Sequence, residues 1–241
     1  MLADIHCGSA WNGEDKLREI VRRTNAEGPN LVLLLGDYIV HGSLGGHYVP
    51  PEKVAALLGD LRAPLGVFAV LGNHDYTMNG PRVRGALRAA GITVLEDESV
   101  RVGGGNGRPG ADAPFWLTGV SDLLRAPHDL LGALAMVTDD APVLLFTHNP
   151  DLFPEVPPRV SLTLAGHTHG GQVRLPFVGR PIVPSIYGQR FAAGHVIEDK
   201  RHLYVATGLG TSIVPVRFLV RPEIVVLELH PLAKGRRPPV S

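Results

Sequence analysis

The chain predicts an α/β fold organised around two β-sheets, on three observations. Its first half alternates apolar runs with amphipathic stretches of helical period. That rhythm of strand, helix and strand pairs strands in parallel through right-handed crossovers. Its second half holds more short apolar runs than one sheet would use, and nearly every run ends in a short polar word of Asp, His, Asn and Gly.

In chain order, only Met1, Leu2 and Ala3 precede Asp4, whereas a buried strand runs about five or six residues. The first strand is therefore expected to be very short, or to begin upstream of Met1 with a signal or anchor lost beside it. Residues 14–26 set Leu17, Ile20 and Val21 at helical spacing, and Gly28-Pro29 ends that helix. Residues 31–35 are apolar throughout, which suits a strand covered on both faces. The pattern repeats with a helix over 52–61, a strand over 67–71 and a helix over 83–90 that stops at Gly91. Further strands are expected at 99–102, 115–119, 143–146, 160–165, 203–207 and 224–229. Residues 172–194 carry several Gly and Pro with little periodicity and read as a long loop lying over something. Residues 1–230 form one domain in this reading, and 231–241 a basic, proline-rich tail.

Composition excludes some functions. A chain of 241 residues with 44% hydrophobic residues supports one sizeable core. Basic and acidic residues balance at 23 each, so no overall field draws the protein to nucleic acid or an acidic membrane; a local patch would be needed. The single cysteine, Cys7, rules out an internal disulfide. No run approaches the roughly 20 apolar residues of a membrane span. As given, the chain reads as cytoplasmic, or as membrane-associated or exported if its start is truncated.

The chemistry sits in Asp4-Ile5-His6, Gly36-Asp37, Gly72-Asn73-His74-Asp75, Thr147-His148 and the run from Gly166 to Gln172 that contains His167 and His169. Most of these words fall where an apolar strand gives way to a loop, the edge at which open α/β sheets bind ligands. Imidazole together with carboxylate suits manganese, iron or zinc, whereas calcium or magnesium takes oxygen almost alone. Asp4 and His6 point the same way if the local chain is extended, and so do His167 and His169.

These words, in this order, resemble the calcineurin-like metallophosphoesterase superfamily over nearly the whole chain. The Gly-His-Thr-His-Gly-Gly-Gln form, with Leu203-Tyr204-Val205, Gly208-Leu209-Gly210 and Arg221-Pro222-Glu223-Ile224, resembles its bacterial YkuE/YaeI-like phosphodiesterase branch. The resemblance implies a four-layer αββα sandwich of two mixed β-sheets flanked by helices. It implies two divalent or trivalent transition metal ions, one on Asp4, His6 and His169, the other on Asn73, His148 and His167, with Asp37 bridging. It further implies His74 as proton donor or charge stabiliser, with Asp75 orienting its ring. Two such ions, about 3.5 to 4 Å apart, lower the pKa of a bridging water and hold phosphoryl oxygens for in-line attack. The resemblance also implies a small-molecule or lipid-linked phosphodiester or nucleotide-sugar substrate. Nucleic acid is disfavoured by the neutral charge, and a membrane surface enters through the substrate or a lost anchor. One departure stands out: where the family's second block commonly reads Gly-Asp-x-x-Asp, Val40 replaces the second Asp, with His41 beside it as a possible substitute or a solvated loop residue.

Each ligand taken singly has a plainer reading, since Asp and Asn also cap turns. The remaining histidines, His47, His128, His195, His202 and His230, are read as structural or solvated. Cys7 lacks the arginine six residues on that a cysteine phosphatase needs, position 13 being Gly13, and reads as packing; Asp122 reads as a turn residue. Gly105-Asn106-Gly107-Arg108-Pro109-Gly110 matches the dinucleotide pattern, but a strand follows where a helix should open, so it reads as a hairpin loop. Arg174, Arg180, Arg190, Arg217 and Arg221 offer no basis for choosing a phosphate binder. The alternatives are a non-catalytic metal-binding scaffold for protein partners and, less favoured, a nuclease.

Overall fold

A computed structural model describes residues 1–40, 43–104 and 113–230. Helix α1 (Glu14–Ala26) leads to strand β1 (Val32–Leu34), helix α2 (Pro51–Leu58), strand β2 (Val67–Ala69), helix α3 (Asn73–Ala89) and strand β3 (Thr93–Val94). The three strands form a sheet in the order β1-β2-β3, with both pairings parallel. Residues 2–7 continue along its edge: Leu2 bridges Leu34, and the amides of Asp4 and His6 donate to the carbonyls of Gly36 and Asp37 at 3.1 and 2.8 Å. Leu2 and Cys7 each form one parallel bridge, to Leu34 and Ile39, on either side of the Asp4 and His6 positions.

The second sheet is mixed and has six strands, in the order β4-β5-β6-β7-β9-β8. These are β4 (Glu98–Val102), β5 (Phe115–Val120), β6 (Val143–Thr147), β7 (Leu162–Ala165), β8 (Gly194–Glu198) and β9 (Arg201–Val205). β4 and β5 pair antiparallel, with Val102 opposite Phe115. They flank the expected hairpin, whose residues 105–112 lie outside the described residues, as do His41 and the 231–241 tail.

Alternation along the strands builds the layers, because successive side chains leave a strand on opposite faces. Val32, Leu34, Ala69 and Val94 pack against Leu17, Ile20, Val54, Leu58, Val83 and Leu87 of α1 to α3. Leu33, Leu35 and Val70 point the other way, onto Leu117, Leu144, Phe146 and Leu164 of the larger sheet. That sheet's outer face, with Val143, Leu145, Leu203 and Val205, is covered by helix α4 (Leu130–Ala135) and by Leu152, Phe153 and Phe191 of two 3-10 turns. The result is the expected four-layer αββα sandwich, although only its larger sheet is mixed.

Two expectations change. The 83–90 helix is the second half of a longer one, α3, whose regular geometry breaks at Asn79 just before Pro81; its first turn carries Asn73, His74 and Asp75. Residues 224–229 do not form a strand. Val225 exchanges two backbone hydrogen bonds with Met1, at 2.6 and 3.2 Å, and no regular ladder follows among the described residues.

Candidate metal centre

The polar words converge at the ends of both sheets. The run from residue 2 to 7 brings Asp4 and His6, the turn after β1 brings Asp37, the first turn of α3 brings Asn73 and His74, the end of β6 brings His148, and the turn after β7 brings His167 and His169. Asp4, His6, Asp37, His148, His167 and His169 are buried, while Asn73 and His74 keep partial exposure.

The backbone at these positions is not extended. Asp4, His6, Asp37, His167 and His169 all have positive φ, at 50°, 45°, 57°, 68° and 52°. The condition for Asp4 and His6, or His167 and His169, to share a face of an extended chain is therefore unmet, and left-handed turns aim them instead. Asp and His are among the few non-glycine residues that visit this region with any frequency. Glycine makes room around them. A Cβ on Gly36 would lie 2.8 Å from Gly72 Cα and 2.9 Å from His148 Nδ1, and one on Gly166 would lie 2.8 Å from an Asp4 carboxylate oxygen.

Donor atoms gather in three overlapping groups: Asp4, His6 and His169; His6, Asp37 and His74; and Asp37, His148 and His167, each within 4.8 Å. Asp37 Oδ2 lies 3.5 Å from His6 Nε2 and 3.3 Å from His148 Nε2. His6 Nε2 and His169 Nε2 approach to 3.0 Å, and His169 Nε2 stands 3.6 Å from Asp4 Oδ1. His148 Nε2 is 3.1 Å from both Asn73 Oδ1 and His167 Nδ1. On its other side His148 Nδ1 lies 2.8 Å from the Leu35 carbonyl, a contact that holds a proton on Nδ1 and leaves Nε2 to the cluster.

Burial shapes the charges. It pulls His6 and His167 down to about 3 and His169 well below its usual value, so these rings are neutral and offer lone pairs. Burial also works against a charged His148, but Asp37, then Asp4 and Asp122, outweigh it and lift His148 to about 10. Burial pushes Asp4 up to about 7. For Asp37 burial acts upward too, yet His148 and His6 hold its carboxyl well below the usual range. A desolvated nest of imidazoles, three of them neutral, with two carboxylates and one amide oxygen suits borderline transition metals.

The described hydrogen bonds of the Asp75 carboxylate go to backbone amides. Its Oδ2 accepts from the amides of Asp37 and Gly72 at 2.8 and 2.9 Å, and its Oδ1 from Tyr38 at 3.0 Å. The carboxylate is spent on the turn beneath Asp37, whereas His74 is tied to that turn by its own amide, which donates to Asp37 Oδ1 at 2.9 Å. The His74 ring meets the His6 ring edge-on at 4.8 Å between centroids.

Sequence reasoning passed over one neighbour, Tyr38, and had no basis for choosing another, Arg217, among five arginines. Tyr38 is fully buried and its hydroxyl donates to the Val70 carbonyl at 2.6 Å, bracing the same turn. Arg217 lies 3.4 Å from His169 Nδ1 through Nη2, donates to the Gly210 carbonyl, and keeps Nη1 buried without a partner among the described residues. Of the five arginines weighed, it alone reaches the cluster among the described contacts. Val40 is buried. Burial and then Glu14 push the Cys7 thiol up to about 11, which fits packing rather than nucleophilic attack. Asp122 accepts from the Leu124 amide at 3.0 Å, as a turn residue does. His195 and His202 stack on each other, and His128 pairs with Glu155, all away from the cluster.

Two layers of sheet closing on a buried nest of histidines and carboxylates define an α/β sandwich with a candidate metal centre. Comparison with known proteins narrows the class: residues 1–171 match the calcineurin-like phosphoesterase family, and the chain belongs to it. The metallophosphoesterase YkuE of Bacillus subtilis (strain 168) is 32% identical over 229 residues, covering 94% of this chain and 77% of its own. Phosphodiesterase YaeI of Escherichia coli (strain K12) is 33% identical over 234 residues, covering 95% and 80%. A metallophosphoesterase of Aquifex aeolicus (strain VF5) is 31% identical over 233 residues, covering 94% and 82%. The protein is accordingly a metal-dependent phosphoric ester hydrolase. No helix among the described residues is long and apolar enough to cross a membrane.

Proposed function

We propose that the chain is a dinuclear phosphodiesterase. Asp4, His6 and His169 hold one transition metal ion, Asn73, His148 and His167 the other, and Asp37 serves both. The observation that carries this reading is the overlap of the donor groups: Asp37 belongs to two of them through one carboxylate, within 3.5 Å of a histidine from each proposed set. The preference for a diester is supported by the likeness to YaeI, named a phosphodiesterase.

When bound, two ions in such a nest supply a water of lowered pKa and positive charge for the phosphoryl oxygens. The chain's own residues do the rest. Asp37 is fixed from both sides, by the His74 amide on Oδ1 and by the Asp75-bound turn beneath it. His74, partly exposed at the mouth, gives its proton to the departing alkoxide. Asp75 is a positioning residue that acts through Asp37. Arg217 offers the free Nη1 to phosphoryl charge on the His169 side.

The test is hydrolysis of bis-p-nitrophenyl phosphate with manganese, iron or zinc, alongside metal analysis. Turnover that depends on two metal equivalents is the expected result. Absence of hydrolysis with every metal would leave a metal-binding scaffold.

A further inference from the structure

The loops around the centre expose large apolar side chains that ordinary folding would bury. Phe177 is fully exposed, Trp11 is 90% exposed, and Ile186, Ile182 and Ile213 are 80%, 76% and 74% exposed. Leu44 and Leu219 add to them. The loops of Trp11, Leu44, Phe177, Ile213 and Leu219 are bonded together into one surface. The amide of Arg174 donates to the Phe218 carbonyl at 2.8 Å, Leu44 to Ile213 at 3.0 Å, and His47 to Gly8 at 2.8 Å. Gln172 joins the same loops to the metal-binding turn, accepting from the Ser212 amide and donating to the Val214 carbonyl.

Two further features set this surface apart. Trp11, Phe177, Ile213 and Leu219 sit at φ of 67°, 65°, 62° and 54°. A bulky or β-branched residue in that region carries backbone strain. The chain therefore spends both strain and hydration to hold these side chains outward. A tight hairpin in which Leu175 and Gly179 exchange amide bonds presents Phe177 at its tip. The charge is also one-sided. Residues 172–187 and 211–222 contain Arg174, Arg180 and Arg221 besides the part-buried Arg217 and no Asp or Glu, and residues 8–13 and 43–48 contain no Asp or Glu either. In a chain whose 23 basic and 23 acidic residues balance, this is a local positive patch. Apolar tips framed by arginine suit the boundary between acyl chains and anionic headgroups.

We infer that this rim is a docking face for an anionic lipid bilayer, with the metal centre opening beside the headgroups. The inference goes beyond the proposed hydrolysis and stands on the surface alone. Vesicle flotation tests it, using manganese-loaded protein with phosphatidylcholine alone or mixed with about one-third phosphatidylglycerol. The protein should float with the mixed vesicles and about tenfold less with neutral ones or at high salt. Trp11 emission should move to the blue on binding, above the constant signal of buried Trp116, and Trp11→Phe should abolish the shift. The triple change Phe177→Ser, Ile182→Ser, Ile213→Ser and the single change Arg174→Glu should each cut partition about tenfold or more, with thermal midpoints unchanged. Failure to float with either vesicle overturns the inference, as does equal binding to both. So does a dimer in sedimentation that the triple change breaks, which would make the face a self-association surface. Hydrolysis of bis-p-nitrophenyl phosphate in solution is scored separately: turnover without flotation removes the docking face alone, and flotation without turnover removes the phosphodiesterase reading alone.

Discussion

Replacing Asp75 separates two roles for this carboxylate. If it holds the turn beneath Asp37, its loss acts on metal binding and stability before it acts on proton transfer. Asp75→Ala strands the amides of Asp37, Tyr38 and Gly72, which donate to it at 2.8, 3.0 and 2.9 Å. Each buried donor left unpaired costs about 1–3 kcal/mol, so the change costs about 3–9 kcal/mol, enough to unfold a domain of ordinary stability. Asp75→Asn is the more informative variant. Its remaining oxygen can keep Asp37 and Gly72, but its NH2 group then faces the Tyr38 amide, donor against donor, at a cost of about 2–4 kcal/mol. Urea denaturation of the metal-free protein reads that loss, and calorimetric titration with manganese should show affinity weakened about tenfold or more. Excess metal should then restore much of the turnover. Unchanged stability and metal affinity with a lowered kcat would refute this account and return Asp75 to the His74 ring.

The other predictions concern the same centre. His74→Ala should keep metal binding and lose about 10²- to 10⁴-fold in kcat; an unchanged kcat sinks its assignment as proton donor. Stripping divalent ions with a chelator should lower the thermal midpoint, since an ion at a thousand times its Kd adds about 4 kcal/mol, and a midpoint indifferent to chelator would argue against a built metal site. Gly72→Ala puts a Cβ 2.6 Å from the Asp37 amide and should cost about 1–3 kcal/mol with weakened metal binding; wild-type metal affinity would contradict the packing described. His148, held at about 10 in the folded chain against an ordinary 6.5, gives stability that is full below pH 6.5 and lost as pH rises through about 10. Bound metal requires a neutral His148, so this alkaline loss should appear in denaturation profiles of the metal-free protein and shrink when metal is added. Identical profiles would count against it.

Local signals made much of this molecule legible. Helix α1 matches its predicted bounds because its apolar spacing and Gly28-Pro29 lie within one short stretch. The polar words that converge at the centre were readable for the same reason: each is contiguous, and most follow directly on a strand. What failed depended on distant partners. The apolar run at 224–229 looks like a strand, but a strand exists only where a neighbour accepts its bonds, and Val225 finds Met1 alone among the described residues. Strands β3 and β8 and helix α4 were missed, being short or polar enough to carry little period. Arg217 could not be chosen among five arginines because its contact with His169 spans 48 residues of chain. The amides that Asp75 accepts from, those of Asp37 and Tyr38, lie more than 35 residues away in the chain, so only its sequence neighbour His74 could suggest a role for it.

The left-handed residues of the centre set chemistry and stability against each other. Asp4, His6, Asp37, His167 and His169 each carry a conformation that costs roughly 1–2 kcal/mol in an L-residue, less for these types than for most. Glycine would adopt it freely. At His6 and His169, whose side chains accept no backbone amide among the described contacts as those of Asp4 and Asp37 do, a change to glycine would relax the backbone while deleting a proposed ligand, so there loss of activity would cost the metal-free fold least. A lineage freed from selection for hydrolysis would then drift toward a sounder but inert sandwich, and a search for stabilising substitutions in this chain would be drawn first to the residues it must not touch.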